Sequence, residues 1–253
     1  MGGTGPTRVP KWSHLLLAVI LVTLVSGAFW LKTRPKLATS DTTGLESTEA
    51  LLARGMSVHT AGSYDAAMEL YHRVLQHDPG HSQAHYNLGQ IYNARGQYAE
   101  AQWEYEAALK ADPQFLDARL NRGVVLYRQQ QFTAAATEFQ QVLQAVPQHP
   151  QALFNLGITL IELGQPDQAI PWLTAALRED PKRADTHYYL GLALQRQQRL
   201  AEAREALQKT LELSPRHADA YVALSEVYQA QGEQRLAEEA LAKAVELNPR
   251  LKK

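Results

Sequence analysis

Cysteine is absent from all 253 residues, which excludes disulfides, thiolate metal sites and a cysteine nucleophile. That absence leaves the compartment open, because a Cys-free chain is at home on either side of a membrane. A surplus of one charge is missing too: 25 Lys and Arg stand against 26 Asp and Glu. Phosphate binding needs a basic surplus, so no nucleic-acid partner is expected. There is no phosphate-cradling glycine loop and no nucleophile elbow. Glu100, Glu104, Glu202 and Glu205 read as solvated helix positions with i, i+4 partners. The expectation is therefore no enzyme, no catalytic residue and no cofactor.

Long apolar runs are also scarce, with one exception. Leu15 to Leu31 reads LLLAVILVTLVSGAFWL, carries no charge, and is bordered by Lys11 and Lys32. With Trp12 and Ser13 it reaches the roughly 17–25 residues that a helix needs to cross a bilayer. Trp12 and Trp30 lie near its ends, where indoles favour the membrane interface. A tail over 1–11, a single transmembrane anchor over 12–32 and a Thr/Ser-rich linker over 33–47 are expected. The alternative is a signal peptide cleaved at Ser26-Gly27-Ala28, although Phe29-Trp30-Leu31 continues the apolar stretch. Arg8 and Lys11 before the span nearly balance Lys32, Arg34 and Lys36 after it. The slight lean is toward repeats on the extracytoplasmic side.

What the chain has in abundance is period. Pro79, Pro113, Pro147, Pro181, Pro215 and Pro249 recur every 34 residues. A fixed period in the range of roughly 20–50 residues is the signature of a solenoid. With proline at position 32, six units follow: 48–81, 82–115, 116–149, 150–183, 184–217 and 218–251. Position 8 is Gly55, Gly89, Gly123, Gly157, Gly191 and Ser225, and position 20 is alanine from Ala67 to Ala237. Position 24 is large: Tyr71, Tyr105, Phe139, Leu173, Leu207 and Leu241.

Each unit reads as two helices. His85, Leu88, Gly89 and Tyr92 share one helical face in the first half, and Ala101, Tyr105, Ala108 and Leu109 share one in the second. Gly62, Gly96, Gly164 and Gly232 mark the turn between them. Gln130 and Gln198 stand there in units three and five, where the turn must form without glycine. Small residues at positions 8 and 20 let two backbones approach, and the position 24 side chain fills the space beside them. Proline ends the second helix by pushing its predecessor out of the α region.

This pattern resembles the tetratricopeptide-repeat (TPR) family over about residues 48–251, most specifically at Leu88-Gly89, Leu156-Gly157 and Leu190-Gly191. The resemblance implies an all-α, right-handed superhelical solenoid of six TPR helix pairs. It also implies a concave groove, lined by the first helix of each unit, that takes a protein or peptide. Arg54 and Arg122 at the family's usual Leu position, and Ser225 for Gly, depart from the pattern.

Candidate binding residues follow from the face opposite positions 4, 7, 8 and 11. Position 6 is Asn87, Asn121 and Asn155 in consecutive units. A carboxamide offers both a donor and an acceptor, so three at one-repeat spacing would form a ladder for an extended backbone. The alternative is a polar residue that only caps or hydrates the helix. Beside this row, position 5 supplies Tyr86, Leu120, Phe154 and Tyr188. Much of that apolar row is inter-repeat packing, and any exposed remainder favours an apolar or amphipathic ligand. The chaperone-binding carboxylate-clamp subclass needs Lys at position 5, and there is none.

His81, His149 and His217 share position 34, and His85 and His187 share position 4, so their role is architectural and no metal site is expected. Stacked repeats need a polar terminal cap, yet no further helix follows the sixth unit within the chain. Leu241, Ala244, Val245 and Leu247 are candidates for an exposed edge. The functional expectation is a membrane-anchored scaffold whose groove binds a protein or peptide in complex assembly. Its rival is a self-associating structural protein, a homo-oligomer joined through that edge.

Overall fold

The computed structural model describes residues 46–251. The expected tail, anchor and linker lie outside the described residues, apart from Glu46 and Ser47. Among the described residues, no helix is long and apolar enough to cross a membrane.

Among the described residues, twelve helices form six consecutive pairs. The first, or A, helices are α1 (Thr48–Thr60), α3 (Ser82–Ala94), α5 (Leu116–Arg128), α7 (Pro150–Glu162), α9 (Ala184–Arg196) and α11 (Ala218–Ala230). The second, or B, helices are α2 (Tyr64–His77), α4 (Tyr98–Ala111), α6 (Phe132–Ala145), α8 (Pro166–Glu179), α10 (Leu200–Leu213) and α12 (Gln234–Leu247). Each helix packs on the one before and the one after it. Successive A helices also touch from α3 through α11, and the B helices show no comparable contact. The A helices are thus the more closely packed layer.

The A–B contact follows from steric demand at position 8. A Cβ on Gly55 would stand 2.5 Å from Tyr71 Cε1, and one on Gly123 would stand 2.6 Å from Phe139 Cε1. At Gly157 the clash is with Leu173 Cγ, also at 2.6 Å. Tyr71, Tyr105, Phe139, Leu173 and Leu207 are all fully buried by this arrangement. Overpacking of this kind costs roughly 1–3 kcal/mol, so glycine here is a packing requirement. In unit six, Ser225 is accommodated because its hydroxyl donates to Ala237 O at 2.8 Å.

Helix ends repeat as faithfully as helix faces. Every A helix closes with the N–H of position 16 reaching back to the carbonyl of position 11, as in Ser63 to Val58 at 3.1 Å and Gln131 to Leu126 at 2.9 Å. That 6→1 bond is a Schellman closure and needs a left-handed residue at position 15. Gly62, Gly96, Gly164 and Gly232 supply it with φ between 72 and 80°. Gln130 and Gln198 adopt it nonetheless, at φ 61° and 58°. The turn is therefore kept, at a steric cost of about 1–2 kcal/mol for each non-glycine residue. After four of the six B helices, Asp78, Asp112, Asp180 and Asn248 accept the backbone N–H two residues on, which closes the turn around the proline.

Replacing both Gln130 and Gln198 by Gly should raise stability. Relief of left-handed strain outweighs the glycine's extra unfolded-state entropy by about 0.5–1 kcal/mol per site. Urea unfolding of the double variant should show a higher midpoint at unchanged slope. A lower midpoint would mean that these glutamines carry contacts that outweigh their backbone strain.

Candidate functional site

Where the A helices lie side by side, the expected binding residues are brought together in two registers. Asn87, Asn121 and Asn155 sit in line on α3, α5 and α7, at 4%, 8% and 8% exposure. Tyr86 is half-buried, whereas Leu120, Phe154 and Tyr188 are buried between units. The apolar row is therefore chiefly inter-repeat packing, and Tyr86 is its accessible member.

The amide row is only partly spent on the protein itself. Gln83 Nε2 donates to Asn87 Oδ1 at 3.0 Å, and Asn87 Nδ2 is buried without a partner. Asn121 Nδ2 donates to Tyr86 Oη at 3.2 Å, and Gln90 Nε2 donates to the same oxygen at 2.9 Å. Tyr86 thus accepts twice and keeps its own proton to give. Burial and the charge of Asp117 push its ionisation well above the ordinary tyrosine range, so it stays a donor.

Arg183 completes this surface and was not legible as a site residue. Its guanidinium lies 3.7 Å from the Phe154 ring centroid and makes no salt bridge to a described residue. Phe154 in turn meets Tyr189 edge-on at 5.7 Å. The available signal was that Arg183 replaces the histidine found at position 34 of units one, three and five. The layer thus combines amides, a phenol donor and a stacked cation, which together can hold polar backbone groups and a carboxylate.

Four of the histidines fall into two structural classes. His81, His149 and His217 are N-caps: each Nδ1 accepts a backbone N–H, from Ala84, Ala152 and Ala220 at 3.4, 3.3 and 3.1 Å. An accepting Nδ1 carries no proton, so this role needs a neutral ring. Burial accordingly holds His149 below its ordinary value, with Asp117 opposing. His85 is the opposite case. Its Nδ1 faces Glu104 Oε2 at 2.7 Å and its Nε2 faces Pro79 O at 3.0 Å. With acceptors on both sides, both nitrogens must donate, which makes the ring an imidazolium. The hydrogen bond that His85 donates to Glu104 raises it above its ordinary value, against the effect of burial.

Arg119 plays the same part in unit three. It reaches Pro113 O at 2.9 Å and lies 3.5 Å from buried Glu138, to which Arg122 also bonds at 2.5 Å. In units two and three, position 4 thus reads the proline carbonyl of the preceding unit and a carboxylate at position 23. Unit one fills the same two places with Leu51 and Leu70, both buried. An ionic pair and an apolar pair are interchangeable there, but half of an ionic pair would leave a buried charge.

At the far end, Leu241 is 41% exposed, whereas Leu173 and Leu207 at the same position are fully buried. Val245 and Leu247, candidates for the same exposed edge, are only half-exposed. Ala244 departs from that expectation: it is fully buried, because it faces inward. A 3-10 turn, Pro249–Leu251, folds against α12.

Family models for the tetratricopeptide repeat match residues 59–122, 120–184 and 182–250, contiguous across nearly all of the array. The chain belongs to the tetratricopeptide-repeat family. Among curated proteins none matches it. Solved TPR structures do. A MamA fragment from Desulfovibrio magneticus RS-1 is 25% identical, with TM-score 0.64 over 68% of this chain and 97% of that one. YrrB, described as a TPR protein with an unusual peptide-binding site, is 23% identical, with TM-score 0.62 over 71% and 92%. Pseudomonas aeruginosa pilF is 19% identical, with TM-score 0.68 over 80% and 92%. The last two likenesses carry the fold alone.

The two histidine classes predict opposite pH dependences. His85, raised when folded, contributes stability that is full below its ordinary value of 6.5 and lost as pH rises through its folded value. His149, lowered when folded, contributes stability that is present above 6.5 and lost as pH falls through its folded value. Urea midpoints measured from pH 5 to pH 9 should show His85→Gln losing the alkaline decline, and His149→Asn losing part of the acid one. A His85→Gln profile parallel to the parent's would remove the imidazolium assignment.

Proposed function

We propose that this TPR array is a membrane-anchored scaffold that holds a protein or peptide partner along its A-helix layer, in the assembly of a larger complex. The observation that carries this reading is the unspent hydrogen-bonding capacity in one line of that layer. Asn87 Nδ2 has no partner, Tyr86 has a proton to give, and the Asn155 carboxamide makes no hydrogen bond to a described residue. Interiors rarely leave such groups orphaned, and an extended partner backbone laid beside Tyr86 would supply the missing C=O and N–H groups once the Asn87 amide, buried in the free protein, turns outward. Peptide binding described for YrrB is in keeping with this at the level of fold. Leu15–Leu31 supports the anchor, with the repeats proposed on the extracytoplasmic side.

Crosslinking and pull-down from carbonate-washed membranes tests both parts together. The full-mass chain should remain in the membrane fraction, and recovery as a soluble species starting near Phe29 would eliminate the anchor. Each amide pairing with ligand backbone is worth on the order of 0.5–1.5 kcal/mol net. Changing Asn87, Asn121 and Asn155 together to Ala should therefore weaken capture by about one to three powers of ten while circular dichroism stays near the parent's. Unfolding of the triple variant would make the row structural, and undiminished capture would place the partner elsewhere.

A second reading has its own observation, the exposed Leu241 at the end of the array. Under it, the chain stacks or dimerises through α12. Light scattering on residues 45–253 should then give a mass above that of a monomer, and Leu241→Glu should restore the monomer. A monomeric parent would eliminate this reading.

A further inference from the structure

Position 22 of the repeat faces outward on the B helix. It is Glu69, Thr137, Pro171, Glu205 and Glu239 in five units, but Trp103 in unit two. Repeat architecture therefore asks for no aromatic there. Trp103 is 63% exposed, well above the other exposed large apolar residues, which lie between 37% and 41%. An indole left this open in a water-facing position calls for a reason other than folding.

The indole flanks an open, solvent-facing depression of about 460 Å³, lined also by Tyr92, Ala99, Glu100 and Glu104. It lies between the last turn of α3 and the first half of α4, apart from the amide row. Three features define its chemistry. The Trp103 ring is seated edge-on against His85, at 5.9 Å and 77°, so one wall is aromatic and buttressed. Glu104, read from the sequence as solvated, is only 4% exposed; its Oε2 accepts from His85 Nδ1, whereas its Oε1 makes no hydrogen bond to a described residue. Glu100 adds a second carboxylate, touched only by a long 3.4 Å bond from Gln97. The nearby guanidinium of Arg95 is turned to Asp65 at 2.6 Å. Two carboxylates against one imidazolium leave the pocket one negative charge in excess.

We propose that this pocket binds a cationic side chain, arginine or lysine, from a basic segment of a protein partner. The indole face attracts a cation through its quadrupole, and the carboxylates supply acceptors for its N–H groups. The small Ala99 leaves room for the aliphatic stem. The same charge repels phosphate, which sets nucleic acid and anionic lipid headgroups apart from the proposed ligand. The site is independent of the amide row, so a scaffold using both would grip one partner on its A-helix layer and meet a second beside Trp103.

The probe is a fluorescein-labelled Gly-Arg-Gly-Arg-Gly peptide, titrated by anisotropy against the full chain in mild detergent, with Gly-Glu-Gly-Glu-Gly as control. Because Trp103 and Glu100 are surface residues, Trp103→Ala and Glu100→Gln should melt as the parent does. The parent should bind the arginine peptide saturably and the glutamate peptide not at all. Trp103→Ala should weaken binding roughly tenfold and Glu100→Gln about threefold, and added salt should weaken the parent. The variant carrying Ala at 87, 121 and 155 should bind this peptide as the parent does, which separates the two sites. No binding by the parent, equal binding by Trp103→Ala, or equal affinity for the glutamate peptide would overturn the proposal.

Discussion

The contact between a bare Cα at position 8 and a large side chain at position 24 sets the distance at which paired helices lie. Everything else in the array is spaced from it. Because Gly89 admits the Tyr105 ring to within van der Waals reach, α3 and α4 close tightly, and the ring is fully buried. The next unit then packs on a surface of constant shape, and the same contact recurs at Gly123, Gly157 and Gly191. A repeat protein has no global core to absorb an irregular pair, so each interface must be met locally.

That regularity turns departures into information. Where a position is occupied alike in every unit, folding is a sufficient explanation. Three units carry asparagine at position 6, one carries tryptophan at position 22, and one carries arginine at position 34. The structure gives each a different neighbourhood. The amides stand in line with unspent donors, Trp103 walls an acidic pocket, and Arg183 stacks on Phe154. The histidine caps show the contrary case: they recur and do the same thing each time, offering an Nδ1 lone pair to an A helix.

Electrostatics inside the array is local as well. The His85–Glu104 and Arg119–Glu138 pairs occupy places where unit one holds two leucines. Each cation also satisfies a proline-turn carbonyl from the preceding unit, so each pair ties two units as well as two helices. These ties sit in units two and three, on either side of the interface that carries Asn87, Asn121 and Tyr86.

Helix number, helix ends and the A–B contact were all written in the sequence, because they depend on residues within one 34-residue period. Proline after each B helix, glycine at the turn and the small–large pairing at positions 8 and 24 are short-range facts of backbone sterics. Even the two glutamines at turn positions were visible as exceptions, although only the folded structure shows that they take the left-handed backbone. Burial of Leu120, Phe154 and Tyr188 depended on how the following unit stacks, which no single period contains. The charge state of His85 was equally hidden, since its two acceptors lie 6 and 19 residues away. Sequence periodicity fixes what a unit is. Which polar groups are left without partners, and which side chains meet across units, is decided only when the units stack, because hydrogen-bond satisfaction depends on distances between chain segments that the period leaves unspecified.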